Sequence, residues 1–239
     1  MTMIDPAIVP QRTLYTGAKM PAVGMGTFGS DHADADAVSA SVAGALRVGY
    51  RSFDCAACYG NEDMIGKIFA DAFAEGIVKR EELFIASKVW NDMHGDGDVL
   101  IACAKTLKDL KLDYLDMYYV HWPVPTYHAP HYDVYSINPD SKPFTVKRFM
   151  KTWRQMERLV DMGLTKHIGM SNMTIPKLEA VLPLCRIKPA AIEMELHPCF
   201  QQPELFDYCR AHGIEVVGFC PIGSPERPER DKMPEDIAD

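Results

Sequence analysis

Arg51-Ser-Phe-Asp-Cys-Ala-Ala-Cys-Tyr-Gly-Asn-Glu62 is the stretch on which the reading of this chain turns. Residues 52–56 read as a short buried strand, Gly60-Asn61 as a tight turn and Glu62 as the start of a helix. Asp54 then stands near the C-terminal end of a strand, with Tyr59 in the loop five residues on. A carboxylate and a phenol held together at a strand end form half of a proton-transfer site; a cation and an imidazole complete it. Lys88, in Phe84-Ile-Ala-Ser-Lys-Val-Trp90, and His121, in Met117-Tyr-Tyr-Val-His-Trp-Pro123, each end a later apolar run. If those runs are strands of one parallel sheet, four residues from three strands converge on one rim.

Outward from that stretch the pattern repeats. Before it, residues 12–15 and 19–20 alternate around Thr16-Gly17-Ala18 and predict a small hairpin, 22–28 a first core strand, and 34–48 a helix closed by Gly49. After it come a helix over 62–74, a strand over 83–89, a helix over 98–110 and a strand over 114–121. An insertion, 123–145, carries five prolines, with His128 and His131 read as loop residues near the pocket mouth. The helix over 146–162 has Phe149, Trp153, Met156 and Val160 on one face, which makes Trp153 a core residue. Strands over 167–171, 190–196 and 215–220 follow, with helices starting near Pro176 and Pro203. Seven strands are counted in this way.

The totals narrow the class. A chain of 239 residues, 47% hydrophobic and 24% charged, suffices for one large core and is read as a single domain. The net charge of −8, with no run of Lys and Arg, argues against nucleic acid. No apolar run of about 18 residues exists, and the N-terminus lacks the basic-then-apolar order of a signal peptide, so the expectation is a cytoplasmic protein that enters no membrane. Seven irregularly spaced cysteines suit reduced thiols.

Strands alternating with helices imply parallel pairing through right-handed crossovers, in an open doubly wound sheet or a closed (β/α)8 barrel. Gly24-Met-Gly26 is not followed by the glycine and immediate helix that the open sheet's dinucleotide turn needs. The barrel places chemistry at the C-terminal strand ends, where Asp54, Lys88 and His121 fall, and is the expected fold.

With these residues in place, the chain resembles the aldo-keto reductase family from about residue 10 to 230. The resemblance rests on Gly24-Met-Gly-Thr-Phe28, Asp54 with Tyr59-Gly-Asn-Glu62, Ser87-Lys-Val-Trp90, His121-Trp-Pro123, Gly169-Met-Ser-Asn172, Glu195-Leu-His-Pro198 and Cys220-Pro-Ile-Gly-Ser224, in that order. It implies a (β/α)8 barrel with an N-terminal hairpin that reduces small aldehydes, ketones or aldoses with NADPH, NADH being the alternative, as a monomer or weak homodimer. Tyr59 would be the proton donor, backed by Lys88 and Asp54, with His121 beside the carbonyl. Cofactor contacts carried over are Gly26, Thr27, Asp54, Ser171, Asn172, Glu193, Phe219, Pro221, Ile222, Gly223 and Ser224. Phe28, Trp90 and Trp122 would join His121 as substrate walls. Glu193 stands where the family has glutamine, and a carboxylate can accept from an amide NH2 but not donate to its oxygen. Residues 223–230 resemble the family's loop over the cofactor pyrophosphate. The family's next segment supplies an eighth strand and the cations for the 2′-phosphate, so the expectation is a C-terminally incomplete form of a longer chain, with Arg227, Arg230 and Lys232 as nearby cations and weak NADPH binding.

The residue types suit the chemistry. A free tyrosine, pKa about 10, donates sluggishly at neutral pH; a nearby ammonium is expected to lower that value, and Asp54 to keep the ammonium charged. The competing readings are a structural Asp54–Lys88 pair, a redox or zinc role for Cys55-Ala-Ala-Cys58, a metallohydrolase using Asp54, His121 and His197, and a cofactor-binding module without turnover. No metal is expected, since metal chemistry would leave Tyr59 and Lys88 without a role.

Overall fold

The computed structural model describes residues 4–29, 33–129 and 138–223. The hairpin is β1 (Gln11–Thr13) against β2 (Lys19–Pro21), antiparallel with Arg12 opposite Met20, and Gly17 takes the left-handed turn position. The chain then alternates: β3 (Met25–Gly26), α1 (Ala35–Val48), β4 (Ser52–Asp54), α2 (Glu62–Ala74), β5 (Phe84–Val89), α3 (Asp98–Leu110), β6 (Leu115–Val120), α4 (Val146–Asp161), β7 (Thr165–Ser171), α5 (Ile175–Val181), β8 (Ala191–Glu195), α6 (Pro203–Ala211) and β9 (Glu215–Phe219). The strands β3 to β9 form one seven-stranded sheet in chain order, every neighbouring pair parallel.

Local chemistry sets the helix limits. Asp34 accepts from Ala37 N (2.8 Å) to cap α1, and Gly49 at φ 110° ends it. The Thr145 hydroxyl caps α4, and Pro176 sits in the first turn of α5, where a missing N–H costs nothing.

The two faces of the sheet bury different cores. Phe53, Ile85, Tyr118, Ile168 and Ile192 face outward and pack with helix residues such as Phe69 and Trp153. Phe84 and Ala86 of β5, Met117 and Tyr119 of β6 and Ala191 of β8 face inward, and Leu14 and Met20 of the hairpin close that inner cluster from below. With about 4.8 Å between strands, β5 and β8 would lie about 14 Å apart in a flat sheet. Yet Lys88 Nζ of β5 lies 3.4 Å from Glu193 Oε1 of β8. The sheet therefore curls into a nearly closed barrel, the helices outside, as expected.

The differences from expectation are local. The strand expected over 22–28 pairs only at Met25 and Gly26, because β3 has a single neighbour and Thr27, after donating to Asp54 O (3.0 Å), turns away. The strand expected over 52–56 ends at Asp54, because the Cys55 carbonyl is taken by the Lys88 ammonium (3.1 Å) and the chain enters a 3-10 turn, Ala57–Tyr59. Tyr59 thus sits on a hydrogen-bonded turn rather than in an open loop. β7 starts two residues early, at Thr165, which pairs with Leu115. His128 anchors to Asp98 at the start of α3 (2.9 Å), while His131 lies outside the described residues. Among the described residues no helix is long and apolar enough to cross a membrane.

Candidate functional site

Gly26, Asp54, Ser171 and Phe219 are the last residues of β3, β4, β7 and β9, Lys88 is the last but one of β5, and His121 directly follows β6. Parallel strands bring all of these ends to one rim. The period of two along β5 directs Lys88 inward with Phe84 and Ala86, and the same alternation directs Glu193 inward with Ala191.

Lys88 is the hub. Its side chain is fully buried, and its Nζ lies 2.5 Å from Asp54 Oδ2, 3.1 Å from Cys55 O, 3.4 Å from Tyr59 Oη and 3.4 Å from Glu193 Oε1. Burial is the largest influence on the ammonium and pulls its pKa down. Asp54, Glu193 and Tyr59 together outweigh it, so Lys88 is held above its ordinary value and stays charged. Glu193, also buried, is raised to about 8 by burial first and by Asp54 second, against Lys88. The Lys88–Glu193 distance alone would read as an ion pair. A fully desolvated carboxyl sharing one cation with a nearer carboxylate instead keeps its proton, and its carbonyl oxygen still accepts from the ammonium.

For the phenol the outcome differs from expectation. Lys88 does favour the phenolate, but burial is the larger influence, and Tyr59 lies well above its ordinary value. The site holds Tyr59 as a neutral O–H with an ammonium beside it. His121 is lowered well below the usual histidine value by burial and by Lys88, so its imidazole is neutral.

Around these groups lie the rings. Phe28 is tilted against Tyr59 (centroids 4.9 Å), while Tyr59 and Trp90 meet His121 edge-on at 5.8 and 5.0 Å. Trp122 is 40% exposed and Ile222 94% exposed, so neither packs firmly at the rim; Pro221 is exposed, Gly223 half-buried, and Ser224 lies outside the described residues. Phe219 ends β9 in register with Glu195, half-buried. Asn172, at φ 57°, donates from Nδ2 to His121 O (3.0 Å) and Ser171 Oγ (3.1 Å), linking the ends of β6 and β7. Two buried carboxyl oxygens, Asp54 Oδ1 and Glu193 Oε2, have no hydrogen-bond partner among the described residues. With the Ser171 hydroxyl and the Asn172 amide they form a donor and acceptor set that fits the ribose hydroxyls and carboxamide of a nicotinamide nucleotide.

Two residues escaped the sequence reading of the site. Asn61 donates from Nδ2 to Thr27 O (2.8 Å), tying the end of β3 to the start of α2. Asn61 stands in the sequence as a turn residue and as part of the motif Tyr59-Gly-Asn-Glu62, neither of which gives it a site role. Cys58, considered only as half of a C-x-x-C pair, is a free thiol that lies 3.6 Å from His121 Nδ1. All seven cysteines are free thiols. Among the described residues no three His, Cys, Asp or Glu side chains gather as metal ligands; His197 pairs with Glu195 (3.2 Å) instead.

A cavity of about 880 Å³ lies elsewhere, between the N-terminal segment and the strand starts, reaching Ile8, Pro21, Phe84 and Asp116. Its buried carboxylate, Asp116, is already bonded to Arg80 (2.8 Å), Lys166 (3.0 Å) and Ile85 N (2.9 Å). Those contacts serve the fold, and none of the rim residues lines that cavity.

Comparison with known proteins agrees with this architecture. The chain is 45% identical over 215 residues to an aldo/keto reductase of Synechocystis sp., covering 90% of this chain and 64% of that protein. It is 42% identical over 222 residues to an aldose reductase of Encephalitozoon cuniculi, covering 91% of this chain and 70% of that protein. The chain thus spans about two thirds of the length of these relatives. The crystal structure of a Bombyx mori aldo-keto reductase in complex with NADP superposes with a TM-score of 0.80 at 31% identity, covering 96% of this chain and 74% of that one. The family model described as Aldo/keto reductase family matches residues 22–239, and with the barrel and its rim already in view, the chain belongs to that family.

Proposed function

We propose that this chain belongs to an enzyme that reduces small aldehydes or ketones, aldoses among them, to alcohols with NADPH, and that Tyr59 is its proton donor. The observation that carries the reading is the Tyr59 hydroxyl 3.4 Å from a buried Lys88 ammonium that Asp54 holds at 2.5 Å. The names of the relatives, an aldose reductase and a structure with NADP, support the carbonyl substrate and the cofactor.

NADPH, when bound, supplies the hydride to the carbonyl carbon. Ser171, Asn172, Glu193 and Asp54 are the residues that would hold its nicotinamide half, with Phe219, Gly26 and Thr27 on the same rim. As charge grows on the carbonyl oxygen, neutral His121 donates a hydrogen bond to it and Tyr59 gives up its proton. The C=O double bond becomes C–O–H, and the phenolate left behind faces Lys88 until water returns a proton. Phe28, against Tyr59, and Trp90, against His121, would form apolar walls beside that oxygen.

The test is consumption of NADPH and NADH with an aromatic aldehyde, glyceraldehyde and a pentose. Tyr59→Phe is expected to lower kcat by about 10² to 10⁴ while leaving the cofactor Kd within about twofold, since only the transferred proton is removed. Near-normal turnover in that variant would sink the proton-donor assignment. Cofactor binding without turnover of any carbonyl by the unmodified chain would favour a binding module.

A further inference from the structure

We infer that Cys58 is a positioning residue: its thiol donates to His121 Nδ1 and thereby fixes the imidazole tautomer that carries its proton on Nε2. The inference rests on the proposed carbonyl reduction for its consequence, but not for its geometry.

Three observations lead to it. Cys58 Sγ and His121 Nδ1 are 3.6 Å apart, within the range for a sulfur hydrogen bond, and among the described residues no other group bonds Nδ1. The direction of the bond follows from the protonation of its two ends. Burial pushes the Cys58 thiol up to about 12, so it retains the hydrogen, and burial with Lys88 keeps His121 neutral, so one ring nitrogen must be an acceptor. A thiol sulfur is a weak acceptor and an imidazole nitrogen a good one, which makes S–H to Nδ1 the stronger arrangement. Finally, the ring cannot easily turn over to exchange its nitrogens. It meets the Tyr59 ring edge-on at 5.8 Å and the Trp90 ring edge-on at 5.0 Å.

The consequence is chemical. A neutral imidazole has one N–H, and only the tautomer protonated at Nε2 can donate from the nitrogen that Cys58 does not occupy. In the other tautomer Nδ1–H would point at sulfur, and Nε2 would present a lone pair to the carbonyl oxygen, which repels it. Cys58 therefore acts on the reaction through His121, without touching the substrate oxygen.

The experiment is nitrogen NMR of the histidine rings in the uniformly labelled chain at neutral pH, with and without Cys58→Val and Cys58→Ser. In the unmodified chain the His121 Nδ1 resonance is expected in the unprotonated range and Nε2 in the protonated range. Cys58→Val is expected to shift the ring toward a mixture of tautomers and to lower kcat about fivefold, the effect of losing one modest hydrogen bond, with KM little changed. Cys58→Ser, which keeps a donor, is expected to restore the Nε2–H form and most of kcat. A protonated Nδ1 in the unmodified chain, or an unchanged ring spectrum in Cys58→Val, overturns the inference. Should the unmodified chain turn over no carbonyl, the ring spectra still decide the tautomer. The two readings therefore fail separately.

Discussion

Glu193→Gln removes a proton-binding site from the barrel interior with almost no change of shape, and its effect on stability has a calculable pH dependence. Glu193 is 3% exposed, and burial and Asp54 raise it to about 8, whereas an unfolded chain titrates a glutamate near its ordinary value of about 4.5. The folded state therefore keeps a proton that the unfolded state has released. Stability falls as pH rises from about 4.5 through about 8 and is flat beyond, a total on the order of 5 kcal/mol. Glutamine cannot ionise, so the variant lacks this loss, and the titrations of groups remote from residue 193 cancel in the difference. Between pH 6 and 9 the unmodified chain should lose about 3 kcal/mol relative to Glu193→Gln, which at this size is roughly 6 to 12 °C in Tm. The assay is thermal unfolding of both proteins across that range, at fixed ionic strength. A Tm difference independent of pH, or an unmodified chain that gains on the variant as pH rises, would refute the reasoning. It would mean that Glu193 is ionised and paired with Lys88 throughout.

Lys88→Met takes the one cation from two carboxyls, and breaking a buried pair from one side should cost about 3 kcal/mol, read by urea unfolding, with kcat down at least as far as in Tyr59→Phe. Adding Asp54→Asn should recover part of the stability and none of the turnover; recovery of turnover would make Lys88 merely structural. Gly169→Ala would put a Cβ 2.4 Å from the Tyr119 ring and 2.8 Å from Ala191 O inside the barrel, so a loss of about 1 to 3 kcal/mol is expected. A denaturation midpoint unmoved by that substitution would show that Tyr119 is free to shift.

The barrel was legible because strands β4 to β8 each announced themselves twice, by an apolar run and by the helix after it. Phe84 to Val89 is buried on both faces, as an interior parallel strand must be, and no other element fits an unbroken run of that length. The edge strand β3 was overdrawn for the complementary reason: with one neighbour, pairing ends where the chain can turn, and apolarity does not mark that point. Asp54, Lys88 and Tyr59 could be placed together because strand ends converge in any such sheet. The protonation of Tyr59 and Glu193 could not, because it depends on how completely the curled sheet excludes water, a property of no single stretch. Cys58 was hidden by its own spacing to Cys55, which suggests a pair, whereas both thiols are free and Cys58, on the 3-10 turn between strand and helix, lies against His121.

The charges at the rim make a single argument. Lys88 brings one positive charge to a buried place shared with two carboxyls and a phenol. Were both carboxyls ionised, the pocket would be negative before any reaction, and charge building on a substrate oxygen would be opposed. The proton on Glu193 removes one of those charges at neutral pH and leaves Asp54 as the near counter-charge of the ammonium. In the proposed transfer from Tyr59 a phenolate would face a cation 3.4 Å away, an attraction on the order of 5 kcal/mol at an effective dielectric of about 20. That attraction offsets part of the burial, which remains the larger influence and holds the phenol neutral before any transfer. An ionised Glu193 would spend part of that attraction beforehand. Glu193 therefore presents no charge at neutral pH and becomes a second anion at the rim only where its carboxyl begins to titrate.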